Sequence, residues 1–141
     1  MSNVINVPTG LKKYDIADLD GNVLGSFYFN PADVDIVSRY DKAMESFEKK
    51  IEEVQSVNIE SLSEKYEKMK SIAYEMIDDI FNSNVAEKFF SIMSPFSLME
   101  DGRSFLEVVV QAIGKVIENE NGQRVKKAEI KISKVTAKYR K

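Results

Sequence analysis

Two stretches of the chain carry apolar residues at helical spacing for about five turns each, and this limits what it can fold into. Val34, Val37, Tyr40, Met44, Phe47, Ile51 and Val54 advance by 3, 3, 4, 3, 4 and 3 residues, the signature of one helix face. Charged residues fill the other side, among them Glu45, Glu48, Lys49, Glu52 and Glu53. Asn30-Pro31-Ala32-Asp33 precedes the stripe. Asparagine suits a cap, proline the first helical position and aspartate the positive end of the dipole. A helix is therefore expected over about residues 31–56. The second stripe is Leu62, Tyr66, Met69, Ala73, Met76 and Ile80, stepping by 4, 3, 4, 3 and 4. Ser61-Leu62-Ser63-Glu64 ahead of it has capping-box spacing. A short connection between two such stripes predicts an antiparallel helical hairpin. A coiled coil with another copy is the alternative, but each run is short for a free coiled coil.

The flanking segments complete a mainly α (α+β) fold, with an N-terminal β-hairpin and about four to five helices in a compact bundle. Leu11–Ile16 and Val23–Phe29 read as strands around Asp18-Leu19-Asp20-Gly21-Asn22, since Asp-Gly favours a tight hairpin turn. Val23, Gly25, Phe27 and Phe29 fall on one face of the second strand; Leu24, Ser26 and Tyr28 fall on the other. A hairpin alone is marginal, so its aromatic face is expected on the helices. Asn84-Val85-Ala86-Glu87 opens a short helix with Val85, Phe89 and Met93 inward and Phe90 widening that face, ended near Pro95. Ser104-Phe105-Leu106-Glu107 opens another, with a start one turn earlier at Asp101 as the alternative. That helix is apolar over a wide arc (Phe105, Leu106, Val108, Val109, Ala112, Ile113, Val116, Ile117) and so belongs in the core, up to Asn119-Glu120-Asn121-Gly122. Residues 1–123 are expected to form one domain.

Residues 124–141 differ in character. Eight basic residues there face Glu129 alone, a net of +7, whereas residues 1–123 hold 12 basic and 22 acidic residues, a net of −10. Val125, Ala128, Ile132, Val135 and Tyr139 step by 3, 4, 3 and 4, which is helical, while Ile130-Lys131-Ile132 alternates like a strand. A basic segment, helical or disordered, is expected. Its lysines could be solvated residues on a structural helix, a protein-binding tail or a nucleic-acid arm. Tyr139 is the sole aromatic there for base stacking, which makes nucleic acid the least favoured of the three.

The residue inventory excludes much chemistry. With no histidine and no cysteine, Ser-His-Asp and Cys-His catalysis, thiol redox chemistry and zinc sites of the usual ligands are closed to this chain. No cofactor or metal is expected, and no enzymatic role. Asp18, Asp20 and Gly21 echo a calcium loop, but aligning Gly21 to the loop glycine puts Ile16 and Phe27 where ligands belong, so a turn is the better reading. Glu75, Asp78 and Asp79 are read as a solvated helix face rather than an acid–base or magnesium site. The six glycines form no phosphate-binding loop. Met44, Met69, Met76, Met93 and Met99 lie on or near the apolar stripes. They are read as core, with an adaptable binding surface as the functional alternative. No run reaches the roughly 18 apolar residues of a membrane span, and the N-terminus lacks a signal-peptide pattern. A cytoplasmic protein is expected, with no membrane contact.

Several segments, Leu11-Lys12-Lys13-Tyr14-Asp15-Ile16 through Phe29-Asn30-Pro31-Ala32-Asp33, Ile80-Phe81-Asn82, Ser94-Pro95-Phe96-Ser97 and Lys138-Tyr139-Arg140-Lys141, resemble small proteins of bacteriophage and prophage tail modules. The order of hairpin, helices and basic end resembles the tail assembly chaperones of long-tailed phages. The resemblance implies a small helical binding protein that keeps the long helical tape measure protein soluble, helps recruit tail tube subunits, and is absent from the finished virion. It defines no site motif, so the expected partner-binding residues come from the apolar stripes and the basic end. They are Tyr40, Met44, Phe47, Ile51, Met69 and Met76, with Lys126, Lys127, Lys131, Lys134, Lys138 and Arg140. Self-association is a further expectation. A structural tail component and a nucleic-acid-binding accessory protein are the rival roles.

Overall fold

The structure, a computed structural model, describes residues 3–56, 61–123 and 125. Its order is β1 (Lys12–Ala17), β2 (Val23–Phe29), α1 (Val34–Ser56), α2 (Leu62–Phe81), α3 (Ala86–Phe90) and α4 (Phe105–Asn121). This is the mainly α fold with an N-terminal hairpin that the periodicities predict, with four helices among the described residues. The basic segment, expected to be helical or disordered, lies outside them apart from Val125.

The two stripes meet each other. Tyr40, Met44, Phe47 and Ile51 of α1 and Met69, Ala73, Met76 and Ile80 of α2 are all buried in one core. Ile36, Ala43, Ile77 and Phe81 join them and widen each stripe into an arc. The stripe ends behave differently, since Val34 and Leu62 sit at the first turns of their helices and are exposed. Arg39 of α1 donates from Nε to the carbonyl of Ile80 at 2.9 Å. Further along, Lys50 pairs with Glu75. These contacts fix the antiparallel sense.

α1 begins three residues later than the sequence suggests. Asn30 caps a turn rather than the helix, its Oδ1 accepting from the Ala32 N–H at 3.0 Å. Asp33 takes over at the helix start, with Oδ1 accepting from the Asp35 N–H at 2.9 Å. Pro31 is buried in that turn. α2 starts as expected, with Ser61 Oγ accepting from the Glu64 N–H at 3.2 Å, and ends on Asn82 in the left-handed conformation (φ 52°).

α4 starts at Ser104, whose Oγ accepts from the Glu107 N–H at 3.1 Å, and stops at left-handed Gly122 (φ 77°). It lies antiparallel to α1. The Tyr40 hydroxyl donates to the Val110 carbonyl at 3.1 Å, and Asn121 Nδ2 donates to the Asp33 carbonyl at 3.0 Å. Gly114 makes the crossing close, because a Cβ there would stand 2.8 Å from the Tyr40 hydroxyl oxygen. The buried arc of α4 is Leu106, Val109, Val110, Ile113, Gly114 and Ile117. It is narrower than its apolar composition, leaving Ala112 exposed and Val108 half-buried.

The hairpin closes one end. Tyr14 pairs with Phe27 and Ile16 with Gly25, with a bulge between Ile16 and Ala17. Phe27 and Phe29 meet the ring of Phe81 edge-on at centroid distances of 5.1 and 4.9 Å, and Phe27 meets Phe89 of α3 at 5.6 Å. Such rings add to stability beyond their buried area. Along α2, Tyr74 meets Phe90, and Tyr66 meets Phe96 and hydrogen-bonds Ser94. The chain between α2 and α4 is thereby laid along α2.

Gly114→Ala should lower unfolding stability by about 1–3 kcal/mol, because the fully buried Tyr40 ring cannot retreat, and Tyr40→Phe by about 1 kcal/mol. The double variant should lose less than the sum, since removing the hydroxyl removes the closest contact, while the Tyr40 ring and Val125 remain 3.2 Å from the added Cβ. Urea unfolding of the four proteins measures this.

Candidate interaction surfaces

The structure places the six apolar residues expected to touch a partner inside the domain. Tyr40, Met44, Phe47, Ile51, Met69 and Met76 are each 6% exposed or less. As the chain is folded here they touch one another and not solvent, because α1 and α2 have turned their stripes together. A partner that used them would first have to part the helices. Lys126, Lys127, Lys131, Lys134, Lys138 and Arg140 lie outside the described residues.

The exposed apolar side chains are elsewhere. Among the described residues ten large ones are exposed, and nine of them fall between Val4 and Val34. Residues 3–11 run without helix or strand, with Val4, Ile5, Val7 and Leu11 between 56% and 90% exposed. The end of this segment is tied down where Asn30 Nδ2 donates to the Thr9 carbonyl at 3.2 Å. Gly10 allows that approach, having a positive φ of 70° and no room for a Cβ beside Asn30. Leu24 and Tyr28 stand on the face of β2 turned away from the aromatic cluster, and both are exposed. The outer face of the hairpin thus carries two exposed apolar side chains beside the polar Lys13, Asp15 and Ser26, while the aromatic face is covered. That alternation, with Leu24 and Tyr28 opposite Phe27 and Phe29, was the sequence signal for this surface. The expectation of partner residues on the long stripes passed over it.

The carboxylates that resembled chemistry serve the backbone. Asp18 Oδ1 accepts from the N–H groups of Asp20 (3.0 Å) and Asn22 (2.9 Å), and Oδ2 from the Asn22 side chain (3.0 Å). These bonds hold the Asp18 carboxyl below its ordinary range, the Asn22 side chain contributing most. Gly21 completes the turn with φ 87°. Asp78 is more than part of a solvated face. Its Oδ1 accepts from the Val85 and Ala86 N–H groups at 2.8 and 2.7 Å. It caps α3 from the last turn of α2, so that Val85 at the cap position needs no polar side chain. Asp79 beside it is exposed. Partial desolvation and then Glu75 push its pKa up, opposed by Lys50. Among the described residues no group of three or more acidic side chains is arranged to hold a metal ion.

The outward face of α1 forms a groove of about 340 Å³ lined by Lys42, Glu45, Ser46, Lys49, Lys50 and Glu53. Its charged walls do not suit a small-molecule site, which is mostly apolar with a few polar groups. Among the described residues no helix is long and apolar enough to cross a membrane. No protein-family model, no curated protein and no solved structure matches the chain.

Two substitutions test the roles of these carboxylates. Asp78→Ala should cost about 1–2 kcal/mol, as loss of a helix cap does, read by thermal unfolding. Asp18→Ala should lower the melting temperature at pH 7. Because the folded-state pKa of Asp18 is depressed, its contribution is present above the ordinary 3.8 and fades as pH falls through the folded value. The gap between variant and wild type should therefore close in strong acid, which a melting series across pH reads directly.

Proposed function

We propose that the chain is a non-enzymatic assembly chaperone of a phage tail module that holds the tape measure protein in solution, with the tail tube protein as a second partner. The observation that carries this reading is the concentration of exposed apolar side chains in the N-terminal segment and on the outer face of the hairpin. An apolar patch that a folded domain leaves uncovered marks a binding surface. The resemblance of the sequence to tail assembly chaperones supplies the client's class.

In this reading Val4, Ile5, Val7, Leu24 and Tyr28 cover apolar stripes of a long helical client. Many copies along the client shield it from aggregation until tube subunits replace them. The rest of the domain keeps the hairpin in place through Phe27, Phe29, Phe81 and Phe89. The absence of histidine and cysteine from the chain also favours binding over catalysis.

The test is co-expression with the tape measure protein of the same tail gene cluster. The wild-type chain should keep the client in the soluble fraction and co-purify with it. Leu24→Ser with Tyr28→Ser removes no buried side chain and should cut capture by roughly tenfold with an unchanged melting temperature. A client that stays insoluble, with nothing co-purifying, overturns the chaperone reading. Equal capture by the double variant removes the hairpin from the interface.

A further inference from the structure

The chain contains one Asn-Gly step, Asn121-Gly122, at the point where α4 ends. In such a step the backbone readily attacks its own side chain, because the glycine nitrogen brings no Cβ as it nears the amide carbon. The fold holds both groups in other bonds. Asn121 Nδ2 donates to the Asp33 carbonyl at 3.0 Å and to the Pro31 carbonyl at 3.4 Å. These bonds tie the last turn of α4 to the turn that starts α1. The Gly122 N–H donates to the Glu118 carbonyl at 3.0 Å, and its φ of 77° closes the helix. Beyond the glycine, the Val125 N–H donates to Glu118 Oε2 at 3.2 Å, which holds the following chain against the same turn.

The oxygen of the same amide is also constrained. Asn121 Oδ1 is buried and has no hydrogen-bond donor among the described residues, so no donor there polarises Cγ for attack. The surroundings suit an amide and not a carboxylate, for two carbonyl oxygens face the nitrogen and no donor faces the oxygen. A carboxylate in that place would turn two hydrogen bonds into contacts between oxygens and bury a charge without a partner. It would also add negative charge at the negative end of the α4 dipole, one residue from Glu120.

We propose that Asn121-Gly122 is a self-modification site that the fold keeps shut, so that a chain whose α4 end parts from the start of α1 is marked there irreversibly. In the parted chain the Gly122 nitrogen loses its proton to solvent base and bonds to Asn121 Cγ. The Cγ–Nδ2 bond then breaks, and the nitrogen leaves as ammonia with a proton returned from solvent. Water opens the resulting cyclic imide at either carbonyl, which leaves an aspartyl or an isoaspartyl residue at position 121. One water is consumed for each ammonia released, and nothing is oxidised or reduced. The product carries an added negative charge and cannot remake the bonds to Asp33 and Pro31. Helix ends open at a lower cost than the whole domain, so the mark accumulates without global unfolding. The inference does not rest on the chaperone reading.

Peptide mass spectrometry of the full chain, held in mildly alkaline buffer with and without urea above the unfolding midpoint, tests it. The folded chain should convert at position 121 at least about tenfold more slowly than the unfolded chain, which should yield both acid products. The consequence is read separately on variants. Asn121→Asp should melt below Asn121→Ala, although alanine also lacks the two hydrogen bonds. Its hydrogen exchange should rise by roughly tenfold in the first turn of α1 and stay unchanged in α2. Equal conversion with and without urea overturns the proposal, because the fold then gives no protection. So does an unfolded chain that keeps its asparagine. An Asn121→Asp chain that melts at or above the temperature of the alanine variant removes the irreversible step and also overturns it.

Discussion

The close crossing of α1 and α4 at Tyr40 and Gly114 is the contact on which the arrangement turns. α1 has one apolar arc and two helices to bury it against, and α2 covers most of it. α4 can share the remainder only where a backbone without a side chain lets the Tyr40 ring in, and the hydroxyl then needs an acceptor, which Val110 supplies at 3.1 Å. Once that crossing is made, Asn121 reaches the turn before α1, and Gly122 sends the chain back past Glu118 to Val125. Burial, followed by the charges of Asp41 and Glu118, pushes the Tyr40 phenol up, so it stays a neutral hydrogen-bond donor.

Around this packed centre the acidic residues act mostly on backbone. Asp18 organises the hairpin turn, Asp33 the start of α1 and Asp78 the start of α3, and Asp101 holds the Arg103 N–H at 3.0 Å. Each supplies an acceptor where a turn or helix start would leave N–H groups without one. Carboxylates engaged in this way are not disposed for acid–base work. The ion pairs joining elements, Lys12 with Glu120 and Lys50 with Glu75, are exposed and add little stability. Packing holds the domain together, and the charges define its outer faces.

Those faces divide the molecule. One end carries uncovered apolar side chains on a strand pair and an extended segment. One flank of α1 carries a row of carboxylates, Asp41, Glu45, Glu48 and Glu52. Neither face disturbs the core.

Much of the fold was legible in the sequence. The 3-4 stepping of Val37 to Val54 and of Tyr66 to Ile80 gave α1 and α2; Asp-Gly gave the hairpin; Ser61 and Ser104 marked helix starts with the right spacing to glutamate. These signals are local, set by the period of a helix, the twist of a turn and the reach of a hydroxyl. Locality also explains the misses. Asn30 and Asp33 are both good caps, and which one starts α1 depends on Pro31 being buried in the turn. Asp78 looks like any solvent-face acid until α3 folds back over it. The stripe residues Tyr40, Met44 and Met69 read equally well as core or as partner surface. An apolar stripe states that a face must leave water, but only tertiary packing decides what covers it. Here α1, α2 and α4 cover one another and leave the N-terminal segment and the outer face of the hairpin exposed.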